Sequence, residues 1–397
     1  MQATIAMSLY VNGIGNYFTL DDTTKGVLDN TTYVLAGDVA VDVTSDLRAV
    51  QVKRGRSRQL SKYVAGTSNL LLTNSARKYD PTYAAGPYYG SIVPGKEVVI
   101  SHAGVTLATL NVADWNLDYD LGSDDTASVA CVDGFQQLAQ KTTTAGTATA
   151  QLTGARIGAY LTDAGWPLGA RAISAGQATL GADVVTSTQN SLAYLQKVEA
   201  SEPGAFFISK NGLAVFKDRV DLQAFTSNVT IGTGGIGFTN IQVVYGIEEL
   251  YTSITVNYSG GGVTVSDSTA VTSYGPLGLT VDSLLASLGD ATDLANWLLS
   301  KYKDPTYRIS SVTFNMDGIT SDQVGQLLTL ELGDMVLVTF TPANLGAPLS
   351  QYVNVEGISH DATAALYTMT LSLGETFAAF QLDSTTFGVL DVNALGY

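Results

Sequence analysis

The chain has 397 residues, enough for two to four domains, since single cores stop growing near roughly 250 to 300 residues. Its charged content of 14% falls below the usual ~25%, its 40 glycines are rich against the usual ~7%, and its formal net charge is -16. Such a field repels phosphate and excludes a general nucleic-acid-binding surface, while one cysteine, Cys131, excludes an intrachain disulfide framework or a cysteine zinc cluster.

Residues 1–34 are turn-rich and polar and read as an arm. "MQATIAMSLYVNGIGNYF" has neither the basic nor the continuous apolar part of a secretory signal, and no run approaches the ~18 to 20 apolar residues of a membrane helix. A soluble protein made in a cytoplasm is the expectation. From residue 38 the hydrophobic period becomes two: Val39, Val41 and Val43, then Val50 and Val52, alternate with polar residues as half-buried strands do. "NLLLTN" adds a strand, and "NSARKYDPTY" has the Asn, Asp and Pro chemistry of a capped turn. "KEVVISHAGVTLATL" predicts a hairpin about His102-Ala103-Gly104. "DWNLDYDL" points Trp115, Leu117 and Tyr119 inward, and "TASVACVD" supplies another strand.

At residue 134 the texture changes. Asp133 is placed to cap a helix in "DGFQQLAQ"; "TGARIGAYLTDAGWP" and "TQNSLAYLQKVEASEPG" set apolar residues at helical spacing. "GAFFISKNGLAVFKDR" predicts a hairpin with Asn211-Gly212 as a two-residue turn. "GTGGIG" at 232–237 lacks strand-turn-helix context and reads as a linker rather than a dinucleotide loop. In the second half, "ELYTSITVNYSGGGVTVSDSTAVTSYG" predicts two or three strands, "DATDLANWLLSKYKDP" an amphipathic helix, and four alternating segments follow.

The expected fold is therefore mainly β (α+β), with two antiparallel β domains and a small helical insertion. The divisions are an arm over 1–37, a first β domain over 38–133 plus 205–235, a helical insertion over 134–204, a second β domain over 236–380 with one helix at about 290–303, and a tail over 381–397.

Catalytic chemistry finds little support. His102 and His360 read as turn or rim residues, Cys131 as a buried inert thiol, and no HExxH, GxSxG, CxxC or Walker-type segment occurs. The cluster Asp118, Asp120, Asp124 and Asp125 lacks EF-hand spacing and reads as a solvated turn. No cofactor, metal or catalytic residue is assigned. The feature that stands out is basic: residues 48–79 hold Arg48, Lys53, Arg54, Arg56, Arg58, Lys62, Arg77 and Lys78 and no acid, leaving 12 basic against 36 acidic residues elsewhere. Without interleaved aromatics or a basic helix, the window is no single-strand binder. It reads first as strands whose charges meet acids on a neighbouring copy or domain.

The order "VDVTSDLRAVQVKRGRS", "AGTSNLLLTNSARKYDP", "PYYGSIVPGKEVVI", then "SLAYLQKVEASEPGAFFISKNGLAVFKDR", "ANWLLSKYKDPTYRISSVTFNM" and "VNVEGISHD" resembles tail hub (minor tail or baseplate hub) proteins of long non-contractile-tailed bacteriophages, over about residues 18 to 375. The resemblance implies a non-enzymatic structural virion protein. In such hubs two tube-like β domains per chain let a homotrimer mimic a six-fold ring joining tail tube to tail tip and lining the DNA exit channel. The implied partners are copies of itself, the distal tail ring protein, the tape measure protein, tail tip or fibre proteins, and genomic DNA in transit, with no membrane insertion of its own. The implied location is the tail tip of a virion assembled in the host cytoplasm. Excess negative charge is expected to line the channel. Lys53, Arg54, Arg56, Arg58, Lys62, Arg77 and Lys78 are the expected contact between subunits or with the adjoining ring. Because the chain ends at "LDVNALGY" without an appended lysozyme or peptidase-like domain, wall digestion is not expected of it. The alternatives are a receptor- or glycan-binding tip protein stacking sugars on Trp115 or Trp297, and a hydrolase with unrecognised acids.

Overall fold

The computed structural model describes residues 5–12, 23, 27, 38–122, 124–223 and 229–376. The expected tail over 381–397 and most of the arm lie outside the described residues.

The fold is mainly β with seven helices among the described residues, and one 13-stranded sheet organises it. In chain order its strands are β1 (Ile5–Asn12), β2 (Asp38–Asp42), β3 (Leu47–Gly55), β4 (Val64–Thr73), β5 (Glu97–His102), β6 (Val105–Asp118) and β7 (Thr126–Val132). The later chain adds β8 (Thr230–Gly232), β9 (Asn240–Val244), β10 (Arg308–Asn315), β11 (Met335–Phe340), β12 (Leu349–Thr363) and β13 (Tyr367–Glu375). The spatial order is β9-β10-β13-β12-β3-β4-β7-β6-β5-β1-β2, with β11 also on β12 and β8 parallel to β11. Every step along that path is antiparallel.

Alternation decides which face is core. Val50, Val52, Leu70, Leu72, Val129 and Leu371 are each at most 2% exposed, while their chain neighbours Gln51, Asn69, Ser128 and Thr370 are not buried. Burying such an aliphatic side chain contributes about 1.5–3 kcal/mol, so a one-residue slip, which would exchange the faces, is strongly disfavoured. The join between the early and late strands is the pair β3–β12. β12 is long enough to serve two neighbours: residues 349–354 pair with β11, and residues 357–363, beyond a bulge at Val355/Gly357, pair with β3.

Helices α1 (Gly134–Gln140), α2 (Thr153–Asp163) and α3 (Ser191–Glu199) arise where the sequence places them, with Asp133 and Asn190 as side-chain caps of α1 and α3. A short α4 (Arg219–Leu222) follows the hairpin 205–217. Further on come α5 (Ser268–Tyr274), α6 (Leu288–Tyr302) and α7 (Ser321–Thr329).

Several local readings need correction. β1 falls inside the expected arm, yet Met7, Leu9 and Val11 are fully buried and the strand lies between β2 and β5. The expected single helix of the second half is joined by α5, where strand was read, and by α7, whose capping box pairs Thr320 with Gln323. The Asn211-Gly212 turn is a three-residue loop, Lys210 to Gly212, with Gly212 at φ 79° in the position of a G1 bulge. The supposed linker 232–237 is anchored at two points although Thr233, Gly234, Gly235 and Gly237 are exposed: Ile236 is 2% exposed and bridges Ile231, and a Cβ on Gly232 would meet the Thr339 carbonyl oxygen at 2.1 Å. Tyr119 lies beyond the end of β6 and is 49% exposed, so it does not point inward.

Candidate functional site

Strand β3 carries basic residues on both of its faces, and the two faces treat them differently. Arg54 shares the phase of Val50 and Val52 and follows them inward to 7% exposure. A guanidinium removed from water costs several kcal/mol unless it is paired and hydrogen-bonded. Arg54 Nη2 donates to Glu331 Oε1 at 2.5 Å and to the Ile208 carbonyl oxygen at 3.1 Å. That joins β3 to the segment after α7 and to the hairpin after α3.

Next along the chain, Gly55 opposes Gly357 across the β3–β12 pair. Its φ of 91° is a left-handed conformation that side chains disfavour, and a Cβ there would stand 2.3 Å from the Glu356 carbonyl oxygen. The close approach seats Arg56 on Glu356: Nε donates to Oε2 at 2.6 Å, and the Arg56 N–H donates to the Glu356 carbonyl at 2.8 Å. Tyr63, at 1% exposure, donates its hydroxyl to the same Oε2 at 3.2 Å, with the Arg56 guanidinium 4.3 Å from its ring centroid. Glu199, the last residue of α3, approaches from the third side and accepts from the Phe206 N–H at 3.2 Å. Burial pushes the Glu199 carboxyl up to about 7 against the opposing pull of Arg56. Three separate stretches of chain therefore meet on one buried ionic group, with side-chain exposures of 8% for Arg56 and 2% for Glu356. Beside it lies a cavity of about 140 Å³ lined in part by Arg56, Glu199, Leu294, Trp297 and Tyr302. With the donors and acceptors already matched to one another, this group suits holding elements together rather than turning over a substrate.

The rest of the basic window lies nearer the surface. Arg48 forms a fork on Asp124, with contacts of 2.6 and 3.0 Å. Arg77 pairs with Asp80 at 2.7 Å, and Lys78 with Asp46 at 2.5 Å. Arg58 meets Glu248 at 3.1 Å with both side chains more than half exposed, and Lys53 and Lys62 are exposed. Arg54 and Arg56 are thus drawn into the β3–β12 seam, Arg77 and Lys78 into the turn after β4, and Lys53, Arg58 and Lys62 stay at the surface. Sequence reasoning passed over Glu331, Glu356, Glu199 and Tyr63. A signal existed for one of them: in "VNVEGISHD" an acid stands alone among apolar strand residues, which requires a partner when that strand is central.

His102 and His360 are corrected from rim to interior, at 7% and 3% exposure. β12 continues to Thr363 beyond His360, and β1 pairs along β5 as far as His102. The two rings bracket Tyr367: His102 lies edge-on at 5.1 Å between centroids, and His360 Nδ1 is 2.9 Å from the Tyr367 hydroxyl. Burial, aided by the field of Arg54, pulls His360 down to about 3. Cys131 is 1% exposed and burial pushes its thiol up to about 12. In the acidic turn Asp124 is engaged by Arg48 and Asp125 accepts from the Asp120 N–H at 3.1 Å; among the described residues no group of three or more His, Cys, Asp or Glu is placed to hold a metal ion. Trp297 is 8% exposed, and Trp115 stacks on Tyr79 with centroids 6.0 Å apart.

No protein-family model and no curated protein matches the sequence. Solved structures match the fold. A tail protein from Neisseria meningitidis MC58 superposes with a TM-score of 0.61 at 11% identity, over 94% of this chain and 97% of that one. The 43 kDa tail protein of prophage MuSo2 from Shewanella oneidensis gives 0.58 at 14% identity, over 86% and 97%. A type VI secretion system component from E. coli, described as structurally similar to T4 bacteriophage tail proteins, gives 0.50 at 9% identity, over 85% and 76%. The chain has the fold of phage tail proteins.

Proposed function

We propose that this chain is a structural tail hub, three copies of which close into a pseudo-six-fold ring that joins the tail tube to the tail tip and surrounds the DNA exit channel. The observation that carries the reading is the sheet itself. On one side of the β3–β12 seam the path runs through seven antiparallel strands, β3-β4-β7-β6-β5-β1-β2, and on the other through β12-β13-β10-β9, with β11 on β12 and β8 on β11 making six. Two comparable units per chain are what three copies need to present six. At the ends of the path, β2 and β9 each pair on one side only among the described residues. An open sheet of this width leaves edges that further pairing would satisfy, and ring closure removes them.

The likeness to phage tail proteins over most of the chain supports the tail assignment. Distal tail ring, tape measure and fibre proteins are the proposed neighbours, and the tail tip is the proposed location. The role is non-enzymatic: His102, His360 and Cys131 are each withdrawn from solvent. Trp297 is buried and half-buried Trp115 stacks on Tyr79, which disfavours the glycan-binding tip that would depend on them. Within the basic window the subunit contact falls to Arg58 and Lys62, the exposed cations of the loop between β3 and β4. Solution mass with low-resolution imaging tests the reading: a trimer with a central lumen is expected, and a stable monomer at assembly concentrations overturns it. Arg58→Glu with Lys62→Glu should weaken the trimer while leaving the chain folded; an unchanged trimer removes these two residues from the contact.

A further inference from the structure

The buried ionic group is matched where Arg56, Tyr63 and Glu356 meet, and two polar atoms at its edge are left over. Arg56 spends Nε on Glu356 at 2.6 Å and Nη1 on the Ser61 carbonyl oxygen at 3.0 Å, and among the described residues its Nη2 has no acceptor. Glu199 accepts from the Phe206 N–H through Oε1 at 3.2 Å, and its Oε2 meets no donor among them. Both side chains are more than nine-tenths buried, at 8% exposure for the Arg56 side chain and 6% for Glu199, and both line the cavity beside the group. Neither atom is sealed in the interior as the Arg156 Nε is. A buried polar atom without a partner costs free energy that a guest could return.

Other deeply buried polar groups on the cavity wall are already engaged. Glu202 accepts from the Thr153 hydroxyl and from the backbone of Gln177 and Ala178. Gln59 donates to the Glu375 carbonyl oxygen at 2.7 Å and accepts from the Tyr302 hydroxyl at 3.1 Å. The rest of the wall is largely apolar. Leu60, Val281, Leu294, Trp297 and Leu298 border a volume of about 140 Å³, a size that admits a benzene-sized guest. Exposed Ser61 and Lys62 also line it, which gives the cavity a way to solvent.

Charge narrows the class of guest. Arg56 is balanced by Glu356, and burial holds the Glu199 carboxyl at about 7, so near neutral pH it exists both as acid and as carboxylate. Arg56 and Lys62 are the cations about it, Glu356 and Glu202 the acids, and Tyr63 the phenol. An ammonium guest would find a counter-charge only in the ionised form, and would face Arg56. A carboxylate guest would suit only the acid form. A carboxamide suits both: its oxygen accepts from Arg56 in either state and from the Glu199 O–H in the acid, while its N–H donates to the carboxylate.

We propose that this cavity binds a primary carboxamide on an apolar stem no larger than a benzene ring, held between Arg56 Nη2 and Glu199 Oε2. The guest is a free small amide or the Asn or Gln side chain of a neighbouring protein, and the site does not depend on the ring reading.

Calorimetry on the full-length chain compares benzamide, benzoate and benzylamine, which share a ring and differ in the polar group. Benzamide should bind most tightly at pH 7 and change by less than about threefold from pH 6 to pH 8, while benzoate weakens and benzylamine strengthens as Glu199 ionises. Glu199→Leu should weaken benzamide about tenfold. Val281→Phe, which fills apolar space and keeps both polar atoms, should also exclude it, with the thermal midpoint of each variant reporting its fold. Failure of benzamide to bind overturns the proposal, as does benzoate or benzylamine matching it at pH 7, or full affinity in Val281→Phe. Repeating the titration on the assembled protein separates the two sources. Equal binding identifies a free small amide; binding lost on assembly, with benzamide in turn weakening the assembly, identifies a neighbour's side chain. A monomeric mass overturns the ring reading and leaves the benzamide result as the test of this one.

Discussion

Arg56 and Glu356 show how one buried pair sets the behaviour of its surroundings. Removing one partner strands the other charge in the core, so Arg56→Met should destabilise by about 3–5 kcal/mol, readable as a lowered denaturation midpoint. Replacing both, as in Arg56→Met/Glu356→Leu, should recover much of that loss; a double variant as unstable as the single one would show that the pair is needed as ions. Glu199 makes a separate prediction about pH. Its folded carboxyl is raised to about 7 from 4.5, so its favourable contribution is complete below pH 4.5 and disappears as pH rises through 7. His360 has the opposite sense, since its folded value is lowered to about 3 from 6.5; stability is lost as pH falls below 6.5. Glu199→Gln should therefore flatten the stability gain on acidification from pH 8 to pH 5 and leave the loss attributable to His360. An unaltered profile would mean that Glu199 is ionised in the folded protein.

At the level of elements, the β3–β12 seam depends on backbone approach that side chains would prevent. Gly55→Ala places a Cβ against a carbonyl oxygen at a positive φ, and should cost at least about 2 kcal/mol from strain and overpacking together. Gly90→Ala makes a useful comparison, because Gly90 also has positive φ, at 78°, but nothing within 4 Å of the added atom. It should cost about 1 kcal/mol or less, and equal losses at the two sites would refute the crowding argument. Helix α7 depends on its first turn. Thr320→Ala removes the cap that accepts from the Gln323 N–H, a loss of about 1 kcal/mol measurable by thermal unfolding.

For the whole molecule, the proposed ring makes the edges of the sheet the place to test association. Val39 stands on edge strand β2 at 46% exposure, where a lysine would hinder pairing with another sheet edge. In the proposed trimer, Val39→Lys should shift the solution mass toward monomer with the thermal midpoint of the chain little changed. A trimer of undiminished strength would move the subunit contact away from β2. The same view of the molecule explains why the basic window needs no foreign partner for most of its members: Arg48, Arg54, Arg56, Arg58, Arg77 and Lys78 find carboxylates within the chain.

Much of this was legible along the chain because it is set by near neighbours. Alternation of Val50 and Val52 with polar residues, the Asp133 cap and the positive-φ turn at Ala103-Gly104 depend on a few consecutive residues each, so they can be read in order. The Thr320–Gln323 capping box was equally local and was passed over. Other features depend on contacts between distant segments. That Arg54 and Arg56 point at Glu331 and Glu356, that His102 and His360 share Tyr367, and that β1 is an inner strand follow from which strands lie side by side. A period of two says that a strand has two faces but not what lies against either, and only the packed sheet assigns one face to the core and leaves the other to water.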